Sequence, residues 1–338
     1  MTRRPRTRSH PAVREPATVL SSRVPRDQQG ARLCDYLASR FRYRTRQEWL
    51  ETCAAGEILL RDRPATGEEI LRAGETVRFR YRDREPEVDA RVLVVHADLD
   101  LVVAAKPAHL PCHADGPFRL HTFIQILRER LGDPRLSLVH RIDRETSGLL
   151  VVARTRRARK VLHESFREGR VRKTYLAVAR GAPSWERMSC RASIGLDPDS
   201  RVAIRRRAFE GSPPGSAAAR TDFRVIRRLA DRAVLLCEPR SGRTHQIRAH
   251  LLHLGHPLLG DKLYGRTDDE YLAFVREAKR GTPPWRIEVH GAGRHMLHAQ
   301  RIAFCHPRTG QPLCFEAPVP DDMAIHAGTA IPRDPERG

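Results

Sequence analysis

Residues 136–154 read L-S-L-V-H-R-I-D-R-E-T-S-G-L-L-V-V-A-R. The two ends are strand-sized apolar runs and the middle, 141–147, is polar. This pattern predicts strands at 136–140 and 148–154 joined by a loop. Asp143 is thereby set near a strand end, held by rigid neighbours, with Arg141 and Arg144 favouring its ionised form. Thr146 and Ser147 can satisfy loop amides. By itself an Arg-x-Asp-Arg loop is more often a surface ion pair than a reactive site.

Outward from this segment, further strand-like runs fall at 92–96, 101–105, 173–179, 223–227, 233–238 and 301–305. Helical periodicity appears at 123–131, 156–167 and 245–254. Many strands with few, irregularly placed helices predict an α+β domain over 86–325, built on a central mixed or antiparallel sheet flanked by helices. Residues 205–219, with an Arg run and S-P-P-G-S, read as an exposed loop. A polar insertion at 266–294 carries a short helix at 268–280. Residues 326–338 read as a tail.

Residues 1–25 are rich in Arg, Pro and Ser without apolar periodicity and read as a disordered basic arm. Residues 26–85 form a separate small module: a helix with Leu33, Tyr36, Leu37 and Phe41 at helical spacing, a second helix at 45–55, then strands at 57–61 and 76–81. A linker around 84–87 separates it from the larger domain.

A second polar segment, P-R-S-G-R-T-H-Q-I-R-A-H-L, covers 239–251. Gly242 breaks the preceding strand, Thr244 can cap a helix, and Ile247, Leu251 and Leu254 give it an apolar stripe. Arg248 then projects from the helix one turn in, a rigid position from which to clamp a carboxylate or phosphate. The bland alternative is a surface arginine on an amphipathic helix.

The formal charge is +21, supplied by 57 arginines and only five lysines. Such an excess implies a polyanionic partner, with nucleic acid the usual one, although so lopsided a ratio also reflects genomic base composition. The seven cysteines are scattered with no C-x-x-C pair, which argues against a zinc ribbon and for reduced thiols. No apolar run approaches membrane-spanning length. The basic N-terminus lacks an apolar core, so no secretory signal is expected and the protein is placed in the cytoplasm.

Together these segments resemble the RluA-type RNA pseudouridine synthases. The resemblance rests on H-R-I-D-R-E-T-S-G-L-L (140–150), K-P-A-H-L-P-C-H (106–113), K-T-Y-L-A-V (173–178), G-R-T-H-Q-I-R-A-H-L-L-H-L-G-H-P-L-L-G-D-K-L-Y-G (242–265) and L-H-A (297–299), across about residues 90–320. The small module resembles the S4-like RNA-binding module through G-x-R-L-x-x-Y-L (30–37), T-R-x-x-W (45–49), G-E-I-L (56–59) and G-E-T-V (74–77). Two departures stand out: His109 replaces a common glycine, and Arg61-Asp62-Arg63 replaces the usual asparagine-glycine turn.

The resemblance implies that Asp143 is the catalytic aspartate, Tyr175 the tyrosine that stacks on the target base, and Arg248 the arginine that pairs with the aspartate. It implies Arg141 as the residue entering the RNA stack, and Arg144, Lys106, Lys173 and Arg243 as further RNA contacts. In the small module Arg42, Arg44 and Arg46 become the phosphate contacts. The implied activity is an isomerisation: uracil leaves the ribose C1′, turns and rejoins through C5. No atoms are gained, so no cofactor and no metal is expected. A carboxylate can serve by bonding transiently to the sugar or by taking a sugar proton. The expected substrate is ribosomal RNA, with tRNA the other option, and the expected state is a monomer.

A metal-dependent hydrolase would account for the 16 histidines, but His250, His253 and His256 drift around their helix, and His109, His113 and His121 have no carboxylate at ligand spacing. A non-catalytic RNA-binding or ribosome-assembly factor is the stronger rival. It would need the basic surface and the small module, but not Asp143, Tyr175 and Arg248 together.

Overall fold

The computed structural model describes residues 18–41, 44–81, 85–116, 118–279 and 282–328. The chain divides into two compact units, Met1–Glu85 and Pro86–Gly338. Among the described residues no helix is long and apolar enough to cross a membrane.

The first unit contains β1 (Thr18–Arg23), α1 (Leu33–Arg40), α2 (Arg46–Ala54), β2 (Ile58–Leu60), β3 (Arg63–Pro64) and β4 (Thr76–Tyr81). Its antiparallel sheet runs β1-β4-β2-β3 and closes on a core that includes Leu33, Tyr36, Leu37, Trp49 and Ile58. A capping box between Thr45 and Glu48 starts α2. The expectation of a disordered arm through residue 25 is corrected here, because β1 pairs with β4 along its whole length. The alternation was hidden in sequence because one inward position is Ser22, whose hydroxyl bonds the Tyr36 hydroxyl at 2.8 Å. Residues 1–17 lie outside the described residues. The turn from β2 to β3 places Arg61 and Asp62 at φ 52° and 61°, the left-handed pair that an asparagine-glycine turn adopts more easily.

The second unit contains β5 (Leu93–Ala97), β6 (Leu101–Lys106), α3 (Phe123–Leu131), β7 (Ser137–Leu138), β8 (Ser147–Ala153), α4 (Arg156–Arg167), β9 (Arg172–Arg180) and β10 (Arg187–Cys190). There follow β11 (Ser193–Leu196), β12 (Arg206–Phe209), β13 (Thr221–Arg228), β14 (Arg232–Pro239), α5 (Gln246–His253), α6 (Asp268–Lys279), β15 (Leu297–Cys305), β16 (Pro312–Glu316) and α7 (Asp321–Ala327). The main sheet runs β10-β13-β14-β9-β15-β8-β6-β5, with β16 on β15 and β7 on β8. It is mixed: β15 and β8 are parallel and the other pairs antiparallel. This is the α+β architecture that the sequence predicts.

Several boundaries differ for physical reasons. The strand predicted at 136–140 shrinks to Ser137–Leu138 because His140 Nε2 accepts the Val151 N–H at 3.0 Å, a donor that a longer β7 would have used. Part of the loop expected at 205–219 is β12, paired with β11 and anchored where Arg207 meets Asp197 and Asp199. The tail expected from 326 begins inside α7, whose Met323 and Ala327 are buried in a cluster with Leu176 and Val178.

One glycine fixes how the loop carrying Asp143 enters the sheet. Gly148 has φ +112°, and a Cβ there would lie 2.3 Å from Ala299 O and 2.6 Å from Ala299 N. Both atoms are backbone of the parallel neighbour, so neither can move aside cheaply. Gly148→Ala is expected to destabilise the protein by about 3 kcal/mol or more, read as a lowered denaturant midpoint.

Candidate active site

The loop 139–146 leaves β7, exposes Asp143 and re-enters the sheet as β8. It is held from below by buried side chains of distant segments. Thr146 Oγ1 bonds His295 Nε2 at 2.7 Å, Ser147 Oγ bonds His298 Nδ1 at 2.9 Å, and Lys262 Nζ reaches Glu145 Oε1 at 2.7 Å. Arg294, 1 % exposed, donates to the carbonyls of Glu145, His295 and Leu297. Buried hydrogen bonds and ion pairs of this kind hold a loop in one conformation.

From the other side α5 delivers Arg248. The helix begins one residue later than Thr244 suggested: His245 is the N-cap, in the left-handed region at φ 57° and without a side-chain cap. Gln246 pins this entry instead. Its Oε1 accepts from Ser241 Oγ and Arg243 N, and its Nε2 donates to Arg220 O and Thr221 Oγ1. Arg248 is 7 % exposed, not the surface arginine of the bland reading. Its Nη1 donates to Asp143 Oδ2 at 2.8 Å, while Nε and Nη2 donate to Asp261 at 2.8 and 2.9 Å. Two carboxylates therefore share one guanidinium, which lies 4.8 Å over the Tyr264 ring.

Asp143 keeps 28 % of its side chain exposed, and Oδ1 accepts no hydrogen bond among the described residues. Burial alone would raise its pKa, but His245, Arg248 and Arg141 outweigh it and the carboxyl lies below its ordinary value. His245 is itself pulled down to about 4, mainly by burial, so Arg248 is the close cation that persists at neutral pH. Tyr175 comes from β9, opposite Cys237 on β14 and Ala299 on β15. Burial and then the Asp143 charge push its phenol up, so it stays protonated. Asp143, Tyr175 and Arg248, far apart in sequence, thus line one pocket of about 470 Å³. A pocket of this size suits a nucleotide-sized group.

Arg141, Lys173 and Arg243 line the same pocket, and none has a carboxylate partner among the described residues. Arg144 lies over the Phe118 ring at 5.8 Å and does not line the pocket. In the first unit, Arg44 sits over Trp49 and Phe79 and donates to Thr52, and Arg46 pairs with Asp35 and Glu68. Arg42 lies outside the described residues. His109 takes φ 62°, the backbone conformation for which glycine is the usual residue.

Lys106 is a correction. Expected to contact RNA, it is 1 % exposed and donates to Pro107 O and Arg144 O at 2.9 Å each. Its ammonium therefore shapes the Asp143 loop from inside. Burial, opposed by Cys112 and helped by Arg294, pulls its pKa down to about 7. An unfolded lysine stays near ~10.4, so between these values the unfolded chain holds the extra proton. Lys106 thus costs stability at and below neutral pH, and the cost fades as pH rises. Between about pH 10 and about pH 6, Lys106→Met is expected to gain on the parent protein by a few kcal/mol, read from denaturation curves at each pH.

Asp261 was missed by sequence reasoning. It is 1 % exposed and also accepts the backbone N–H groups of Leu263 and Tyr264 at 2.9 Å. The available signal was an Asp-Lys pair, both charged, inside the apolar run L-L-G-D-K-L-Y. Among the described residues, one set of potential metal ligands, Asp98, Asp100 and His306, comes close together. His306 Nδ1 accepts from the Arg308 and Thr309 amides, so Nε2 carries the proton and donates to Asp98 at 3.2 Å. That pattern is a hydrogen-bonded tie between the β5–β6 turn and the end of β15, not a ligand set.

The RNA pseudouridylate synthase family model matches residues 100–253. The ribosomal large subunit pseudouridine synthase D of Neisseria meningitidis is 33 % identical over 310 residues, 89 % of this chain and 79 % of that protein. An uncharacterised RNA pseudouridine synthase of Synechocystis is 32 % identical, with 86 % and 95 % covered. The solved structure of human RNA pseudouridylate synthase domain containing 1 superposes with a TM-score of 0.52 at 28 % identity, covering 70 % of this chain and 86 % of that one. The family motifs, the mixed sheet and relatives that match over most of their length agree: the chain belongs to the RluA-type RNA pseudouridine synthases, which are isomerases.

Proposed function

We propose that this enzyme converts uridine to pseudouridine in ribosomal RNA with Asp143 as its catalytic carboxylate. The observation that carries the reading is the 2.8 Å bond from Arg248 to Asp143 Oδ2 in a pocket that Tyr175 also lines, with Asp143 Oδ1 left uncommitted. Arg248 aims the carboxylate and keeps it ionised; Tyr175, neutral, supports the uracil face. The C1′–N1 bond breaks, C1′ rejoins the base at C5, and the C5 proton leaves as N1 gains one. Substrate and product are isomers, so the step consumes no oxidant, reductant or group donor.

The target base must leave its stack, at a cost of a few kcal/mol. Arg141, entering the RNA stack, and Lys173 and Arg243, meeting RNA phosphates around the pocket, offset that cost. The first unit acts as an S4-like RNA-binding module; its two helices followed by short strands, with Arg44 and Arg46 at the start of α2, support this. Ribosomal RNA is favoured by the names of relatives that match over most of their length. A ribosomal RNA substrate supports a cytoplasmic location.

Pseudouridine mapping in a strain lacking the gene, complemented with either the parent protein or Asp143→Ala, tests the reading. One or more ribosomal positions should be lost, restored by the parent and not by the variant. Loss confined to tRNA would overturn the substrate assignment. Restoration by the variant would overturn the catalytic one.

A further inference from the structure

His245 lies beside Asp143, and the reading above gives it no task. Its side chain is 11 % exposed, it lines the pocket, and its Nε2 lies 3.9 Å from Asp143 Oδ2. Its tautomer follows from the other ring nitrogen. The backbone N–H of Arg206 donates to the Tyr264 hydroxyl at 3.0 Å, so that oxygen is already an acceptor. Tyr264 is 1 % exposed, and among the described residues its single proton has one acceptor in reach, His245 Nδ1 at 3.0 Å. A neutral ring that accepts at Nδ1 carries its proton at Nε2. The opposite tautomer would leave the buried Tyr264 proton without an acceptor, at about 1–3 kcal/mol. Burial keeps the ring uncharged at neutral pH.

At 3.9 Å the Nε2–H is beyond hydrogen-bond range of Asp143, whose Oδ2 already takes Arg248. Among the described residues the proton thus has no acceptor, and it lies at the place where the nucleotide would sit. We propose that His245 is a further catalytic residue, its neutral Nε2–H donating to the uracil 2-carbonyl oxygen, with Tyr264 as the positioning residue that fixes the tautomer. The proposal rests on the assignment of Asp143. When the C1′–N1 bond breaks, its electron pair stays on the base, spread over N1 and the carbonyl oxygens. A donor aimed at that oxygen stabilises the departing base, as donors do at a developing oxyanion. The donor must be uncharged: an imidazolium here would pair with Asp143 and blunt it. The Tyr264–Arg206 relay supplies such a donor.

Single-turnover rates and RNA affinities of four variants test this. His245→Ala should slow turnover by about 100-fold with RNA affinity within about twofold of the parent. His245→Gln, whose amide nitrogen reaches the place of Nε2 and donates there, should recover about tenfold of the loss. Tyr264→Phe keeps the ring packing and leaves residue 245 alone; it should slow turnover by about tenfold. Turnover of His245→Ala within about threefold of the parent would overturn the proposal, as would a glutamine variant no faster than alanine when both melt and bind RNA like the parent. If the alanine variant fails to fold, Tyr264→Phe decides, and an unchanged rate overturns the tautomer argument. Asp143→Asn runs alongside. An inactive Asp143→Asn with an unimpaired His245→Ala refutes His245 alone; an active Asp143→Asn overturns the assignment of Asp143 and this proposal with it.

Discussion

Asp261→Ala is expected to cost about 3–5 kcal/mol of stability and most of the activity, although Asp261 never faces the pocket. The carboxylate takes two guanidinium bonds from Arg248 and two backbone N–H groups, and its side chain is 0 % exposed. Alanine leaves a buried cation short of its partner and two amides without an acceptor, each loss being of the kind that costs most. Against a typical total stability of about 5–15 kcal/mol this is a large fraction. Arg248 would then swing fully onto Asp143, and the aim of the carboxylate would change with it. Urea denaturation of the variant is the measurement; a loss under about 1 kcal/mol would show that the pair behaves like a surface one. The half-exposed Arg46–Asp35 and Arg46–Glu68 pairs offer the contrast: solvent screens them, and breaking either should barely move the denaturation midpoint.

How much of this was legible in sequence depended on whether the signal was local. The helices α3 and α4 were legible to the residue from their regular apolar stripes, and the structure adds the side-chain caps Thr122 and Thr155. The all-apolar run at β8 announced a strand buried on both faces. β7 was read too long because the bond that ends it comes from an imidazole, which no periodicity records. β1 was missed because a hydroxyl pair does the work of an apolar contact.

In the active site, the α5 pattern gave Arg248 a helix but no depth. Its burial depends on Asp261, thirteen residues later, and its partner Asp143 is 105 residues away in sequence. Only the family resemblance joined those segments in advance. The same resemblance put Lys106 on the RNA side, whereas the carbonyls of Pro107 and Arg144 draw its ammonium inward. His245 could not be given a tautomer until Tyr264 and the Arg206 amide stood next to it.

Asp143→Asn is the variant with the largest expected effect on catalysis. Asparagine keeps the size of the side chain and an oxygen for Arg248 Nη1, and Asp261 still neutralises the guanidinium. Folding and RNA binding should therefore be nearly unchanged. What disappears is the anion, and with it the group that bonds to the sugar or takes its proton, so turnover should fall by about 10⁴-fold or more. In the parent enzyme, the depressed carboxyl of Asp143 should sustain turnover down to the ordinary carboxylate range, with activity lost only as pH falls below it. Each isomerised uridine exchanges its C5 hydrogen with solvent, so tritium released from RNA labelled at uracil C5 counts turnovers directly. With purified protein and labelled ribosomal RNA from a strain lacking the gene, the parent should release tritium and Asp143→Asn, at the same RNA occupancy, should release none above background. Release by the variant at a rate near the parent's would contradict the account.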